Sequence, residues 1–238
     1  MNYRKSHIGK GIDYDQLFVE DYRTLILSEI ERKWLNSIVS QYYKHGLITH
    51  LDFACGTGRI IGYLQDQNIQ STGVDVSKTM LEVARQKCPN ARFLEIDVTE
   101  GEIEQLKGKF DLITSFRFLT NAEPPLRYEA LAATSLFLND KGFMVVNNHF
   151  NSNSLLLKLV SLKRGVEPRG VAPKVLEVLF DLLGLEVVRR IGIGILPLRR
   201  RHGFPKILQI SMDRLIGQLP VFNGLALNHL YVLRRKCS

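Results

Sequence analysis

Between residues 48 and 147, five short apolar runs alternate with helical segments, and that repetition leaves few folds open. The runs are Ile48 to Ala54, a strand ending in Gly73-Val74-Asp75, Arg92 to Ile96, Phe110 to Ser115, and Phe143 to Asn147. Between them the spacing predicts helices over Arg59 to Gln65, over a stretch N-capped by Ser77 and running to Lys87, around Glu102 to Leu106, and from Pro124 to about Leu138. Pro89-Asn90 breaks the second helix, and Asn139-Asp140-Lys141-Gly142 reads as a turn. Strands that alternate with helices are joined by right-handed crossovers, so the sheet is parallel and covered on both faces. The expected class is α/β, with a doubly wound sheet.

The flanks depart from the repeat. Residues 1–47 read as an amphipathic helical cap, with Leu25, Ile26, Ile30, Trp34, Leu35 and Ile38 on its apolar side. Residues 149–170 read as a polar connection, and Pro173 to Leu183 as a helix ended by Gly184 at C′. Two further strands, Leu185 to Ile191 and Leu227 to Leu233, enclose residues 194–224, too long for a hairpin and therefore an insertion. A length of 238 residues accommodates one such domain: cap 1–47, cofactor-binding core 48–148, substrate-side half 149–238.

The chemistry starts at Asp52-Phe53-Ala54-Cys55-Gly56-Thr57-Gly58-Arg59. A small-residue turn after the first strand lets a ligand approach the backbone at the strand's carboxyl end, where open α/β sheets bind ligands. Asp75 ends the second strand, placed to accept hydrogen bonds from a ribose diol. A dinucleotide fingerprint needs G-x-G-x-x-G, and here Ile61 occupies the third glycine position. No Walker A loop occurs, and Asp52 suits a cationic, amino-bearing ligand better than a pyrophosphate.

At these residues the sequence resembles the class I S-adenosylmethionine-dependent methyltransferases. Their first motif, acidic-x-[GA]-x-G-x-G, is matched by Asp52 to Gly58, and their second-strand acidic residue by Asp75 before Val76. Asp97, with Val98, matches the residue that contacts the adenine amine, and Phe110 to Ser115 matches the fourth-strand motif. The resemblance covers roughly residues 50–148. It implies a Rossmann-like sheet of seven strands, mostly parallel with the last antiparallel, and S-adenosyl-L-methionine as cofactor, with S-adenosyl-L-homocysteine as product. It implies a cofactor site of Tyr14, Asp52, Ala54, Gly56, Gly58, Asp75, Val76, Asp97, Val98, Ser115 and Phe116. Tyr14 is matched to an aromatic lid, with helix packing as its other reading.

Methyl transfer to a hydroxyl benefits from a base, and His149, just beyond the fifth strand, is the candidate; hydrogen bonding within the loop is the competing role. Arg117 is expected to bind an anionic group of the acceptor or to pair with Glu123 or Glu129, and Asn147 and Asn151 to orient a polyhydroxyl substrate or to shape the loop. The acidic-or-Asn, Pro-Pro, aromatic signature of amino-methylating relatives is absent at Ser115 to Phe118, which favours O-methylation of a small-molecule, glycan or lipid-linked acceptor. Lone His202 and His229 read as structural, and no metal site is expected.

Charge supplies the remaining constraint. The formal balance is +8, yet residues 189–238 hold ten Lys/Arg against Asp213 alone, so the rest of the chain is nearly neutral. A basic end suits an anionic partner or a solvated face. Peripheral membrane association and a homodimer remain open, and nucleic acid is a weaker fit because no RNA-binding module is appended. No apolar run approaches the ~18 residues of a membrane span. The first residues lack a signal-peptide core, and three scattered cysteines suit a reducing compartment. The expected location is cytoplasmic. The rival functions are an RNA methyltransferase, a non-catalytic cofactor-binding assembly protein and a dehydrogenase.

Overall fold

The computed structural model describes residues 22–43, 46–100, 106, 108–165, 170–196, 205–222 and 224–236. Helix α1 (Tyr22–Tyr42) precedes β1 (Ile48–Phe53), α2 (Arg59–Leu64), β2 (Ile69–Asp75), α3 (Lys78–Lys87), β3 (Arg92–Glu95) and β4 (Phe110–Ser115). Then come α4 (Pro124–Ser135), β5 (Leu138–His149), α5 (Leu155–Arg164), α6 (Pro173–Leu182), β6 (Leu185–Ile193), α7 (Lys206–Ile216) and β7 (Asn228–Arg235). The seven strands form one sheet in the order β3-β2-β1-β4-β5-β7-β6, with β7 antiparallel to both neighbours and the other pairings parallel. This is the expected Rossmann-like class. The order reverses between β1 and β4, which opens a crevice beyond their carboxyl ends.

The pleat sorts the core. Along β4, β5 and β7, residues Ile113, Met144, Val146, Tyr231 and Leu233 face one apolar layer, while Leu112, Val145, Leu230 and Val232 face the other. α4 and α6 cover the first layer through Ala130, Leu131, Leu176 and Phe180. α1 covers the second: Ile26, Ile30, Trp34 and Ile38 recur every four residues and are all buried. The cap is therefore part of the sandwich, fastened over the crevice side of the sheet.

Three expectations need correction. The connection after β5 contains α5, whose Ser154 hydroxyl accepts the Leu157 amide; an N-cap and the leucines after it outweigh the polar composition of 149–170. β5 starts at Leu138 and ends at His149, because Asn139 to Gly142 are absorbed by an irregular start to its pairing with β4. Residues 194–224 include α7, an element of the core: Ile210 joins the α1 layer, and Trp34 lies between the guanidinium groups of Arg189 and Arg214, 4.9 and 4.8 Å from its ring centre. Asp213 accepts the backbone N–H groups of Gly194, Ile195 and Leu196, tying α7 to the end of β6. Ser77 stands at the N-cap of α3, but its hydroxyl meets Thr79 Oγ1 rather than a helix amide. The helix expected around Glu102 to Leu106 falls mostly outside the described residues, and Tyr14, His202 and Cys237 fall wholly outside them.

The basic end is largely committed to structure as well. Arg190 pairs with Glu177 at 2.5 Å, Arg234 with Glu186 and Lys236 with Asp181 at 2.5 Å, and Arg235 donates to the Ser135 carbonyl. With Arg189 and Arg214 on Trp34, six of the ten basic residues after position 188 have partners within the fold.

Candidate active site

Ala54, Arg117 and Phe150 are the non-glycine residues with positive φ among those described, at 55°, 63° and 76°. They directly follow β1, or lie just past the ends of β4 and β5, three adjacent strands. Left-handed backbone at such residues is unfavourable and concentrates at functional sites. Here all three strained turns border the same crevice.

The crevice has two pockets. In the first, Phe53, Ala54, Asp75, Val76 and residues 96–99 form one wall, and Phe118, Leu126 and Ala130 the other. Gly56 and Gly58, with φ of 53° and 77°, turn the chain after β1. The Gly56 amide donates to Asp75 Oδ2 at 2.8 Å and the Ser77 amide to Oδ1 at 2.9 Å, so one carboxylate joins the ends of β1 and β2. Asp97 Oδ1 accepts the amide and hydroxyl of Thr99 at 3.0 and 2.7 Å, fixing the loop after β3.

Beneath this turn runs a buried hydrogen-bonded chain. Thr114 Oγ1 donates to Asp52 Oδ1 at 2.6 Å and meets His50 Nε2 at 2.8 Å, while His50 Nδ1 meets Ser71 Oγ at 2.9 Å. Since the Thr114 proton goes to Asp52, Nε2 carries the His50 proton and Ser71 donates to Nδ1. Burial pushes the His50 pKa down to about 3, so the ring is neutral. Burial pushes Asp52 up to about 7, against the Thr114 hydrogen bond and the Arg59 charge. Asp52 Oδ2 and Ser115 Oγ are buried without a partner at the ends of the paired strands β1 and β4. An ammonium group is the partner both would take, and it would draw the Asp52 pKa back down.

The second pocket, of about 210 Å³, is lined by Thr24, Leu27 and Glu31 from α1, Arg117 and Asn121 after β4, and His149, Phe150 and Asn228 from the β5 and β7 ends. Glu31 is buried and paired with Arg59 of α2 at 2.9 Å, and it accepts from Asn147 Nδ2 at 2.9 Å. Burial raises its pKa, but the charges of Arg59 and Arg117 and these hydrogen bonds outweigh that and lower it. Removing one member would strand the other, a loss of about 3–5 kcal/mol in buried pairs. Asn147 Oδ1 accepts the Arg117 amide at 2.6 Å, so the same residue holds the strained turn in place. His149 Nδ1 is buried without a partner; burial, then the nearby Arg117 charge, lowers the ring's pKa to about 4.

The structure thus distributes the expected residues unevenly. Ala54, Asp75, Val76, Asp97 and Val98 line the first pocket, with Asp52, Gly56, Gly58 and Ser115 shaping it from behind. Phe116 does not line it: alternation turns the ring toward α1, 5.9 Å from the Arg59 guanidinium, and Phe118 takes the wall instead, edge-on to Phe53 at 4.8 Å. Arg117 and His149 line the second pocket. Asn147 sits beneath it with its amide spent on Glu31 and Arg117. Asn151 is buried with its amide on Asn153 and Ala226, which gives it the loop-shaping role. Glu31 was not expected. Its signal was a carboxylate among the apolar positions Leu27, Ile30, Trp34 and Leu35 of an amphipathic helix.

Residues 51–142 match the family model of the methyltransferase domain. A methyltransferase of Alkaliphilus oremlandii, itself uncharacterised, is 30% identical over 138 residues, 56% of either chain. The ubiquinone biosynthesis O-methyltransferase of Nitrosococcus oceani is 26% identical over 174 residues, 68% of this chain and 73% of that one. The chain spans 39, 40 and 56% of the length of the first three curated relatives it matches. Among solved structures, the magnesium protoporphyrin IX methyltransferase of Synechocystis PCC 6803, crystallised with S-adenosylhomocysteine, superposes with a TM-score of 0.65 at 15% identity over 98% of this chain and 97% of its own. The plantazolicin methyltransferase BpumL gives 0.62 at 15% over 93% and 90%. At such identities these structures speak for the architecture alone. Residues 51–142 thus carry a methyltransferase domain, on a sheet with the strand order expected of the class I S-adenosylmethionine-dependent methyltransferases.

Proposed function

We propose that the chain methylates an oxygen of a small-molecule, glycan or lipid-linked acceptor, using S-adenosylmethionine held in the first pocket and the acceptor in the second. The observation that carries this reading is the unpartnered His149 Nδ1, buried in a pocket that meets the cofactor side where Arg117 lines one wall and Phe118 the other. Asp75 would hold the ribose, Asp97 and Val98 the adenine, and Asp52 with Ser115 the amino-acid end. Bound there, the cofactor supplies a methyl group on a positively charged sulfur, which needs no Lewis acid.

The chain's own part is to position and to dry. α1 and the buried Glu31–Arg59 pair close the acceptor pocket against water, and aligned reactants gain most from such confinement. His149 is neutral near pH 7 and offers a lone pair to an acceptor hydroxyl. The adjacent Arg117 disfavours a lasting imidazolium, so the hydroxyl proton that His149 takes as the acceptor oxygen attacks is passed on to water rather than stored. Arg117 itself is placed to take an anionic substituent on the acceptor. Incubation with methyl-labelled S-adenosylmethionine and fractionated metabolites, glycans, lipids and RNA tests the reading. Label in an alkali- or acid-stable ether, or in an ester, supports it; label confined to RNA bases or nitrogen overturns it. Cofactor binding with no label in any fraction would leave the non-catalytic alternative.

A further inference from the structure

Apolar side chains of α5 that face no partner form a stripe. Leu155, Leu159 and Leu162 recur at four and three residues along one helix face, and Leu159 and Leu162 are 59% and 79% exposed. The stripe continues onto a second segment. The Leu155 amide donates to the Gly224 carbonyl at 3.3 Å and the Ser154 hydroxyl to that of Leu225 at 3.0 Å, which brings α5 against the turn after α7. That turn exposes Leu219 and Val221, the latter 81% exposed, and α7 leads into it with exposed Leu215. The surface lies beside the acceptor pocket: half-exposed Phe150 lines that pocket, its amide donates to Asn228, and the next residue, Asn151, bonds Leu227 and Ala226.

The charge around this surface has one sign. Lys158 is exposed on α5, and the described residues 151–165 contain no acidic residue. In the described part of residues 195–224, Lys206 at the start of α7 is exposed, and the single acid, Asp213, is buried on backbone amides. Apolar side chains within a basic surround complement an anionic lipid interface, where leucines enter the acyl boundary and lysines meet headgroups. A protein partner of ordinary composition would not need the uniform charge.

We propose that the α5 stripe and the Leu219–Val221 turn dock on an anionic lipid surface, presenting the acceptor pocket to a lipid-linked hydroxyl. The proposal rests on the acceptor reading above and narrows it to an acceptor at a membrane interface.

The test is flotation of the full chain with phosphatidylcholine vesicles containing phosphatidylglycerol, against vesicles of phosphatidylcholine alone. The wild type is expected to float with the anionic vesicles and to be released by salt. The exposed pair Leu159→Gln/Leu162→Gln is expected to lower partitioning by at least about tenfold, given the apolar area withdrawn. Lys158→Gln is expected to lower it about fivefold, the equivalent of about 1 kcal/mol for one basic group near an anionic surface. Both variants should keep the wild-type affinity for S-adenosylhomocysteine in calorimetry, which shows them folded. No flotation of the wild type, or equal flotation of the variants, overturns the proposal. So does a wild-type dimer in sedimentation that the leucine variant converts to monomer, since the stripe would then belong to a second copy. Flotation without methyl transfer to any acceptor would keep the docking face and remove the acceptor reading; methyl transfer to a soluble acceptor without flotation would do the reverse.

Discussion

The first pocket, proposed for the cofactor, takes Ala54, Asp75, Val76, Asp97 and Val98 from the turns after three successive strands, whereas the second, proposed for the acceptor, gathers residues from Thr24 to Asn228. The first is shaped mainly by backbone: a glycine turn, a carboxylate bonded to two amides, an aspartate fixed by Thr99. The second is shaped by a side-chain network, Glu31 with Arg59, Asn147 and through it Arg117, around one unpartnered imidazole. A backbone cradle recognises a ligand shared by a whole family. A side-chain network can be rebuilt for each acceptor without disturbing that cradle.

Substitutions on the two sides should therefore separate in kinetics. His149→Ala is expected to lower turnover by about 10²–10⁴ with cofactor affinity unchanged, the usual range for a group assisting proton movement. Near-wild-type turnover with the true acceptor would reduce His149 to a wall residue. Asp75→Ala is expected to weaken S-adenosylmethionine binding by about 1.5–3 kcal/mol, the value of charged hydrogen bonds, while leaving the acceptor's own binding to the preformed complex intact. Unchanged calorimetric affinity would break the assignment of the first pocket. If Asp75→Ala and His149→Ala instead change the same constant, the two pockets are one site and the division is wrong.

A third way to separate the two sides is pH. His50 and His149 titrate near 6.5 when unfolded but are held down to about 3 and 4 in the fold. At these two rings the unfolded chain then binds more protons, so the histidines' contribution is greatest above pH 6.5 and falls as the pH drops toward 4 and 3. At pH 5 each buried histidine should cost about 2 kcal/mol relative to neutral pH. Asp52, held up to about 7, gains stability over the same interval and opposes the histidines, so the His149 share is read as the difference between wild type and His149→Ala in denaturant unfolding at pH 7.5 and pH 5. A His149→Ala variant with the same pH dependence as the wild type would contradict the lowered pKa of that ring.

Much of the cofactor side was legible because its requirements are local. The small residues of Ala54-Cys55-Gly56-Thr57-Gly58 permit left-handed backbone after β1, and Asp75 reaches back to Gly56 across neighbouring strands. The exception, Phe116, shows the limit: it keeps the parity of Leu112 and faces the α1 layer, while Phe118, two residues on, reaches the first pocket because the chain turns at Arg117 with positive φ. On the acceptor side Arg117 and His149 were visible as chemistry at strand ends, but their surroundings were not. Glu31 and Asn147 are 116 residues apart and meet only when α1 packs on the sheet.

The basic carboxyl end shows the same division. Its sign and size follow from composition, and composition alone suggests an anionic partner. Only packing shows that Arg189 and Arg214 enclose Trp34 and that Arg190, Arg234, Arg235 and Lys236 close the β6–β7 edge. What the sequence determined by itself was the alternation of elements, the turn chemistry after β1 and β2, and hence the methyltransferase domain match and its sheet. These are short-range properties, set by periodicity and by the φ that small residues tolerate. The tertiary structure decided the acceptor pocket, the neutral state of its histidine and which charges remain for a partner. Those depend on burial and on contacts between segments far apart in the chain, and neither exists until the core has closed.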